Sequence, residues 1–239
     1  MPILRSVLQR RGISFAILFL APALAHAALL TTQYTSESTF LSSGIDTGTA
    51  YNEQFESHTG GSQGVMSRAY PIGGGTFEYV LATADGAPGD FLWVVTAGTN
   101  PSGKAVSTSQ SGTDLVITFG NNNVTSAGAV FFIANSSDVR QSGTINVTFT
   151  FSDSSSATVG VSSTTSGAAN FLGYSVQGGT ITSIRVDGNG IGANNFVLLD
   201  NVYAGVNPVP ELPSTGIAAA LFCLLIAGRA LVKPRRCVQ

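Results

Sequence analysis

The sequence predicts an all-β protein: a single β-sandwich domain of the jelly-roll type, flanked by an N-terminal signal helix and a C-terminal transmembrane helix. Two observations predict the sandwich. Short apolar runs recur between turn residues throughout the middle of the chain, and each has the length of one strand. No internal stretch shows a convincing helical period. Many short strands at such spacing are typical of sandwiches and jelly rolls.

Residues 1–27 have the three parts of a signal peptide. Arginines precede an apolar run over residues 13–24. The run ends at a small-x-small cleavage site formed by Ala25 and Ala27. An apolar run this short does not cross the ~30 Å hydrocarbon core of a membrane comfortably. We therefore expect export by the general secretory route and cleavage before Ala28.

Residues 28–207 form the predicted domain, and 180 residues are enough for one sizeable core. This body holds 12 acidic and four basic residues, a net charge of −8, although the whole chain carries only −2. Such an acidic body argues against nucleic acid as a partner, because phosphate binding needs a basic surface. The body has no cysteine, which excludes a disulfide framework and a thiolate metal site.

Nine runs of the body are predicted strands. The run over residues 145–151 alternates most clearly between apolar and polar side chains, as in a strand with one buried face. The run over residues 129–134 is apolar throughout and predicts burial on both faces. Residues 33–64 have weaker runs and are expected to be less regular. The nine runs cover residues 76–82, 91–96, 115–119, 129–134, 145–151, 157–161, 171–174, 181–186 and 196–203.

Asp200 and Asn201 interrupt the last apolar run. A charge inside such a run needs a partner. Asp200 could pair with Arg185, cap a loop, or coordinate Ca²⁺ through oxygen ligands. Asp187, in the turn before the last run, is a further candidate ligand. Calcium is the only cofactor that the sequence suggests.

Other polar and aromatic residues of the body are candidates for acid–base, metal or sugar chemistry. His58 is the single histidine of the body, and its neighbours Glu53 and Glu56 would suit an acid–base or metal role. No Gly-x-Ser-x-Gly motif supports a Ser-His-Asp triad, and no catalytic residue is predicted. Exposed aromatic residues can stack sugars. Trp93 lies in an apolar run where core packing is the favoured prediction, and three tyrosines are weaker sugar platforms: Tyr51, Tyr70 and Tyr79.

The last 32 residues, 208–239, have the order of a sorting tail: a proline-rich segment, an apolar helix and a basic end. Prolines fix φ and lack an N–H, so the first segment stays extended and accessible to a processing enzyme. Residues 216–232 predict a short transmembrane helix. Basic residues should stop transfer and remain on the cytoplasmic side. They are Arg229, Lys233, Arg235 and Arg236.

This tail resembles the PEP-CTERM sorting signal. The likeness rests on Pro208-Val209-Pro210-Glu211, the following Pro-Ser-Thr, the apolar helix and the terminal arginines. The third position of the Pro-Glu-Pro pattern is Leu212 here, and Pro213 follows it. The segment 171–204 is loosely similar to the bodies of such proteins. The resemblance implies an exosortase as the processing partner and an exopolysaccharide-producing Gram-negative source.

A second sorting motif overlaps the first. Leu212-Pro213-Ser214-Thr215-Gly216 is a literal match to the LPxTG motif of sortase substrates. A sortase would cut after Thr215 and join its carboxyl group to the cell wall. The short tail and its mostly arginine end favour the exosortase interpretation. A plain membrane anchor without processing is the third alternative.

Three functions follow from these features. The prediction is a non-enzymatic surface or extracellular-matrix protein, exported, sorted through its tail and retained in the envelope or in extracellular polysaccharide. The first alternative is a carbohydrate-binding module, suggested by the predicted jelly roll and the acidic, calcium-compatible loops. The second is a hydrolase, which would need a convergent carboxylate pair or a triad.

Overall fold

The computed structural model describes residues 29–45, 50–72, 75–84, 89–95, 103–165 and 170–206. Within these ranges the chain forms 15 strands and one short helical segment. The strands are β1 (Leu30–Tyr34), β2 (Ala50–Glu53), β3 (Gly61–Gln63), β4 (Met66–Ile72), β5 (Gly75–Thr83), β6 (Leu92–Val95), β7 (Ala105–Thr108), β8 (Leu115–Phe119), β9 (Ser126–Asn135), β10 (Arg140–Gln141), β11 (Gly143–Phe151), β12 (Ser156–Ser163), β13 (Phe171–Gln177), β14 (Ile181–Val186) and β15 (Asn195–Gly205). The helical segment is α1 (Glu37–Thr39), which continues into one π-helical turn, Phe40–Gly44.

Both predicted targeting segments lie outside the described residues. These are the signal peptide over residues 1–27, with Ala25 and Ala27, and the tail over residues 208–239. The sorting residues, the transmembrane segment 216–232 and the basic residues that follow it belong to this tail. In the part of the chain that the structure describes, no helix is long and apolar enough to cross a membrane.

The strands form two antiparallel sheets, which confirms the all-β prediction. The larger sheet has nine strands in the order β1-β13-β9-β15-β7-β6-β3, with β10 paired to β9 and β2 paired to β15. The smaller sheet has six strands in the order β12-β11-β14-β8-β5-β4. Successive strands from β12 to β15 alternate between the two sheets.

The main hydrophobic core draws its side chains from both sheets. In β11 the predicted alternation is confirmed, because Ile145, Val147 and Phe149 are buried while Asn146 is exposed. All nine predicted strands are present, with bounds that differ by a few residues. Hydrophobic periodicity therefore located these strands correctly.

Strand β9 is buried on both faces, as its uninterrupted apolar run predicted. Phe131 and Ile133 belong to the main core between the sheets. Val130 and Phe132 belong to a second cluster on the opposite, outer face of the larger sheet. Because neighbouring side chains of a strand point to opposite faces, one strand supplies both clusters.

Six strands were not predicted: β1, β2, β3, β4, β7 and β10. Strands β1, β3 and β4 lie at the edges of their sheets, where a broken apolar pattern is tolerated. Strand β4 even contains Pro71, which an edge strand accommodates because one row of its N–H groups has no ladder partner. Strand β7 is central but consists of small residues around Val106.

The helical segment over residues 37–44 corrects the expectation that the body contains no helix. Its Ser36 side chain accepts a hydrogen bond from the Thr39 N–H at 3.4 Å, which caps the first turn. Phe40 is fully buried, with its ring centroid 5.2 Å from that of Phe171. A segment this short has no measurable helical period, so its sequence pattern did not reveal it.

Candidate functional site

A groove of about 290 Å³ lies on the outer face of the larger sheet and is called the Trp93 groove below. Its lining includes the aromatic side chains of Phe91, Trp93 and Phe196 and the polar residues Asn135 and Asp138. Phe91 directly precedes β6, which contains Trp93, and Phe196 lies in β15. Asn135 ends β9, and Asp138 lies in the turn that follows it. The site therefore combines apolar ring faces with hydrogen-bonding groups.

Strand pairing explains why the groove is hollow. Trp93 in β6 is opposite Ser107 in β7, and Ser107 is opposite Leu198 in β15. A small side chain between two large ones leaves a depression on that face of the sheet. The Ser107 hydroxyl donates to the Val197 carbonyl oxygen at 3.2 Å, so it forms part of the buried floor.

Trp93 corrects the prediction that it packs in the core, because 42% of its surface is exposed. Its neighbours Leu92 and Val94 belong to the main core. In an alternating strand Trp93 must then point to the outer face. The apolar character of the whole run concealed this alternation. The Phe91 ring lies beside the indole, with a centroid separation of 6.1 Å.

The turn after β9 holds the polar side of the groove. The Asn135 side-chain oxygen accepts hydrogen bonds from the N–H groups of Ser137 and Val139, both at 3.0 Å. Among the described residues, no partner binds the side-chain N–H groups of Asn135. Asp138 adopts a left-handed conformation with φ 58°, and its N–H donates to the Asn135 carbonyl oxygen at 2.9 Å. Partial burial raises the pKa of Asp138.

The three tyrosines considered as sugar platforms form a partly buried network beside Glu53 instead of an open surface. The hydroxyls of Tyr51 and Tyr79 donate to Glu53 Oε2 at 2.7 and 2.8 Å, and the Phe55 N–H donates to Oε1 at 2.9 Å. The rings of Tyr51 and Tyr70 stack at 3.8 Å. Burial acts to raise the pKa of Glu53, but the hydrogen bonds outweigh it and lower the pKa.

His58 lies beside this network. Its Nε2 is 3.2 Å from Arg68 Nη2, and since guanidinium groups only donate, Nε2 is the acceptor. Burial lowers the pKa of His58, Glu53 opposes that shift, and the charges of Arg68 and Lys104 add to it. His58 is therefore neutral at pH 7.

Hydrogen bonds from Lys104 hold the segment that contains His58 in place. Its Nζ donates to the carbonyl oxygens of Glu56 and His58 at 2.8 and 2.6 Å, and its N–H donates to Glu56 Oε1 at 2.7 Å. The carboxylates that sequence reasoning placed near His58 are thus both engaged, Glu53 by tyrosines and Glu56 by a backbone N–H. This arrangement fixes a loop.

Asp200 is buried, with 1% of its surface exposed, at a bulge in β15. The proposed pairing with Arg185 is wrong, because Arg185 donates from Nε to Asp114 Oδ2 at 2.6 Å. The opposite charge near Asp200 belongs to Arg140. Burial lowers the pKa of Arg140, and the charge of Asp200 opposes that shift. The Arg140 guanidinium also lies 4.2 Å from the Phe132 ring centroid.

The three calcium candidates do not all lie together. Asp200 and Asn201 lie in β15 of the larger sheet, where Asn201 Nδ2 is 3.5 Å from Glu37 Oε1. Asp187 follows β14 of the smaller sheet and accepts from the Asn189 N–H at 2.8 Å. Among the described residues, no group of three or more His, Cys, Asp or Glu side chains could hold a metal ion. Calcium binding stays a prediction.

Asp114 is a polar anchor that sequence reasoning missed. It is buried and accepts from the Gly188 N–H at 2.8 Å and from Asn189 Nδ2 at 3.3 Å, in addition to Arg185. It therefore holds the turn after β14 against the start of β8. In the sequence, the only indication of this role was an isolated aspartate directly before an apolar run.

No protein-family model matches this chain, and a comparison with curated proteins gives no match.

Proposed function

We propose that the chain is a non-enzymatic exported protein of the cell surface or extracellular matrix, sorted and processed through its PEP-CTERM-like tail. The observation that carries the proposal is the order of its segments: a signal peptide over residues 1–27, one β-rich body, and a sorting tail over residues 208–239. An exosortase-type enzyme is the processing partner, and the membrane holds the tail until it is cut.

The body suits an extracellular role. Its two antiparallel sheets bury a core without any cysteine, so folding needs no disulfide chemistry. The net charge of −8 over residues 28–207 keeps such a domain soluble and disfavours nucleic acid. The change of sheet at each step from β12 to β15 supports jelly-roll-like connections, in which successive strands cross the core.

Deleting residues 208–239 tests the sorting role. The full chain and the truncated chain are expressed in the native host, and cells, extracellular matrix and medium are separated and probed with an antibody against the body. Both chains keep the signal peptide, so both are expected to be exported. The full chain should be found in the envelope or matrix, whereas the truncated chain should be found in the medium.

A body variant serves as the matched control. Val80→Ala changes an exposed side chain on the smaller sheet and leaves both targeting segments intact, so it should distribute like the full chain. Retention of the truncated chain in the envelope would show that the tail does not sort the protein. Accumulation of both chains in the cytoplasm would contradict export.

A further inference from the structure

The Trp93 groove has the chemistry of a sugar-binding site. We propose that it binds one pyranose residue of a neutral polysaccharide, with the Trp93 indole as the stacking platform and Asn135 and Asp138 as hydrogen-bonding partners. This inference goes beyond the sorting proposal and rests on the groove alone, so either can fail without the other.

The exposed indole is the first argument. Trp93 is 42% exposed, so part of its indole is open to a ligand, and Phe91 and Phe196 line the same groove. The face of an aromatic ring carries negative charge density, and it attracts the polarised C–H groups on the face of a pyranose ring. Phe91, tilted by 41° to the indole, extends the apolar surface on one side.

The size of the groove is the second argument. About 290 Å³ lies just below the range for ligand pockets, about 300–1,000 Å³, which suits a ligand as small as one sugar ring. The floor is formed by buried Ser107 and Leu198 on a paired sheet, so the site is preformed and rigid. A rigid site loses little conformational entropy when a ligand binds.

The polar groups are the third argument. Two backbone N–H groups orient the Asn135 side chain through its oxygen, and its N–H groups can then donate to sugar hydroxyls. The Asp138 carboxylate can accept two hydroxyl hydrogen bonds. Asp138 lies in the exposed turn after β9, where a ligand can reach its carboxylate.

Charge selects neutral sugars over acidic ones. The described lining of the groove contains Asp138 and no lysine, arginine or histidine. The surrounding body carries a net charge of −8. A uronate or a sugar phosphate would meet like charge without a cationic partner, which costs affinity.

The single tryptophan makes the test direct. Trp93 is the only tryptophan of the chain, so its fluorescence reports on this groove alone. The purified full chain is titrated with cellohexaose, mannohexaose and chitohexaose as neutral probes and with a polygalacturonate oligomer as the acidic probe. We expect a saturable blue shift of the emission with at least one neutral probe and no shift with the acidic one.

Three variants assign the effect to the groove, with affinity measured by calorimetry because Trp93→Ala removes the fluorophore. Trp93→Ala should weaken binding at least tenfold, and Asp138→Asn should weaken it severalfold. Val80→Ala, an exposed apolar residue of the smaller sheet, should bind like the unaltered chain. Circular dichroism and thermal unfolding show whether each variant is folded. If Trp93→Ala does not fold, Asp138→Asn still tests the groove, because it changes a side chain in an exposed turn.

Three results would overturn the proposal. One is an unchanged emission with all neutral probes at millimolar concentration. Another is unaltered affinity in both folded groove variants. The third is equal or tighter binding of the acidic probe, which would show that charge at the groove does not select the ligand.

Discussion

At the scale of single residues, two buried carboxylates of the body are held by hydrogen bonds from several partners. Glu53 accepts three hydrogen bonds and Asp114 accepts from Arg185, Gly188 and Asn189. A buried carboxylate without such partners would cost several kcal/mol, on the order of the desolvation penalty of an ion. Each network joins segments that are far apart in the chain, so these charges fix loops against strands.

Glu53→Gln should destabilise the body at pH 7 by about 1–3 kcal/mol, because an amide replaces a carboxylate that accepts charge-assisted hydrogen bonds. The folded-state pKa of Glu53 is lowered, so its contribution is present above the unfolded-state pKa of about 4.3 and is lost as the pH falls through the folded pKa. Urea unfolding followed by circular dichroism should therefore show a gap between variant and unaltered chain at pH 7 that narrows at pH 3.

Glu78→Gln is the matched control for this experiment. Glu78 lies in β5, next to Tyr79, and its side chain is exposed, so its substitution should change stability by less than about 0.5 kcal/mol at either pH. A gap for Glu53→Gln that is equally large at pH 3 and pH 7 would show that the carboxylate charge does not contribute as described.

Residue roles were only partly predictable from the sequence. The need of Asp200 for a nearby opposite charge followed from its apolar surroundings. Which residue supplies that charge did not, because Arg140 is 60 positions away along the chain. Trp93 was assigned to the core because residues 91–95 of its run are all apolar. The alternation that exposes it becomes visible only when Leu92 and Val94 are known to face the smaller sheet.

At the scale of elements, the contact between β9 and β13 depends on two facing glycines. Gly128 is opposite Gly173, and a Cβ atom added at Gly128 would lie 2.6 Å from Phe171 Cζ and 2.8 Å from Gly173 Cα. The aromatic ring of Phe171 occupies the space that this pair leaves. Close backbone approach is one of the established reasons for glycine inside a strand.

Gly128→Ala should therefore destabilise the body by about 1–3 kcal/mol through overpacking, although alanine is the better strand residue. Gly64→Ala is the control, since no atom lies within 4 Å of the added Cβ there. The control should be neutral or slightly stabilising, because it restricts the unfolded chain. Thermal unfolding of both variants measures the difference. Equal melting temperatures would mean that the strand pair tolerates the added methyl group.

Element prediction succeeded where burial is strongest. Central strands such as β8, β9, β11 and β14 carry continuous or alternating apolar runs, and their positions followed from the sequence. The edge strands β1, β3 and β4 did not follow from it, because half of their surroundings is solvent and their pattern is mixed. The helical turn at Phe40–Gly44 was not predicted, because one large buried side chain, that of Phe40, does not make a helical period.

At the scale of the whole molecule, the charges are divided between the body and its ends. Seven of the 11 basic residues lie in the two predicted targeting segments, and the body keeps 12 of the 13 acidic ones. Basic residues beside an apolar segment orient it in a membrane, whereas an acidic domain stays in solution. This division of charge supports the proposal that the body is exported across a membrane and that the two end segments target it.

The Trp93 groove could not be predicted from the sequence because it is a product of the whole topology. Strands β6, β7 and β15 meet there with the turn after β9, and more than 100 positions separate Trp93 from Phe196 along the chain. Strand order decides which side chains become neighbours, and strand order is the property that periodicity does not encode.

The mass of the mature protein recovered from its native envelope tests the central claim most directly. Peptide masses from both ends should show a chain that begins at Ala28 and ends near the Pro210-Glu211 pair, with the apolar helix and the basic cluster removed. An intact tail through Gln239 would contradict processing of any kind. An end at Thr215 that carries a cell-wall fragment would assign the tail to a sortase and contradict the exosortase account.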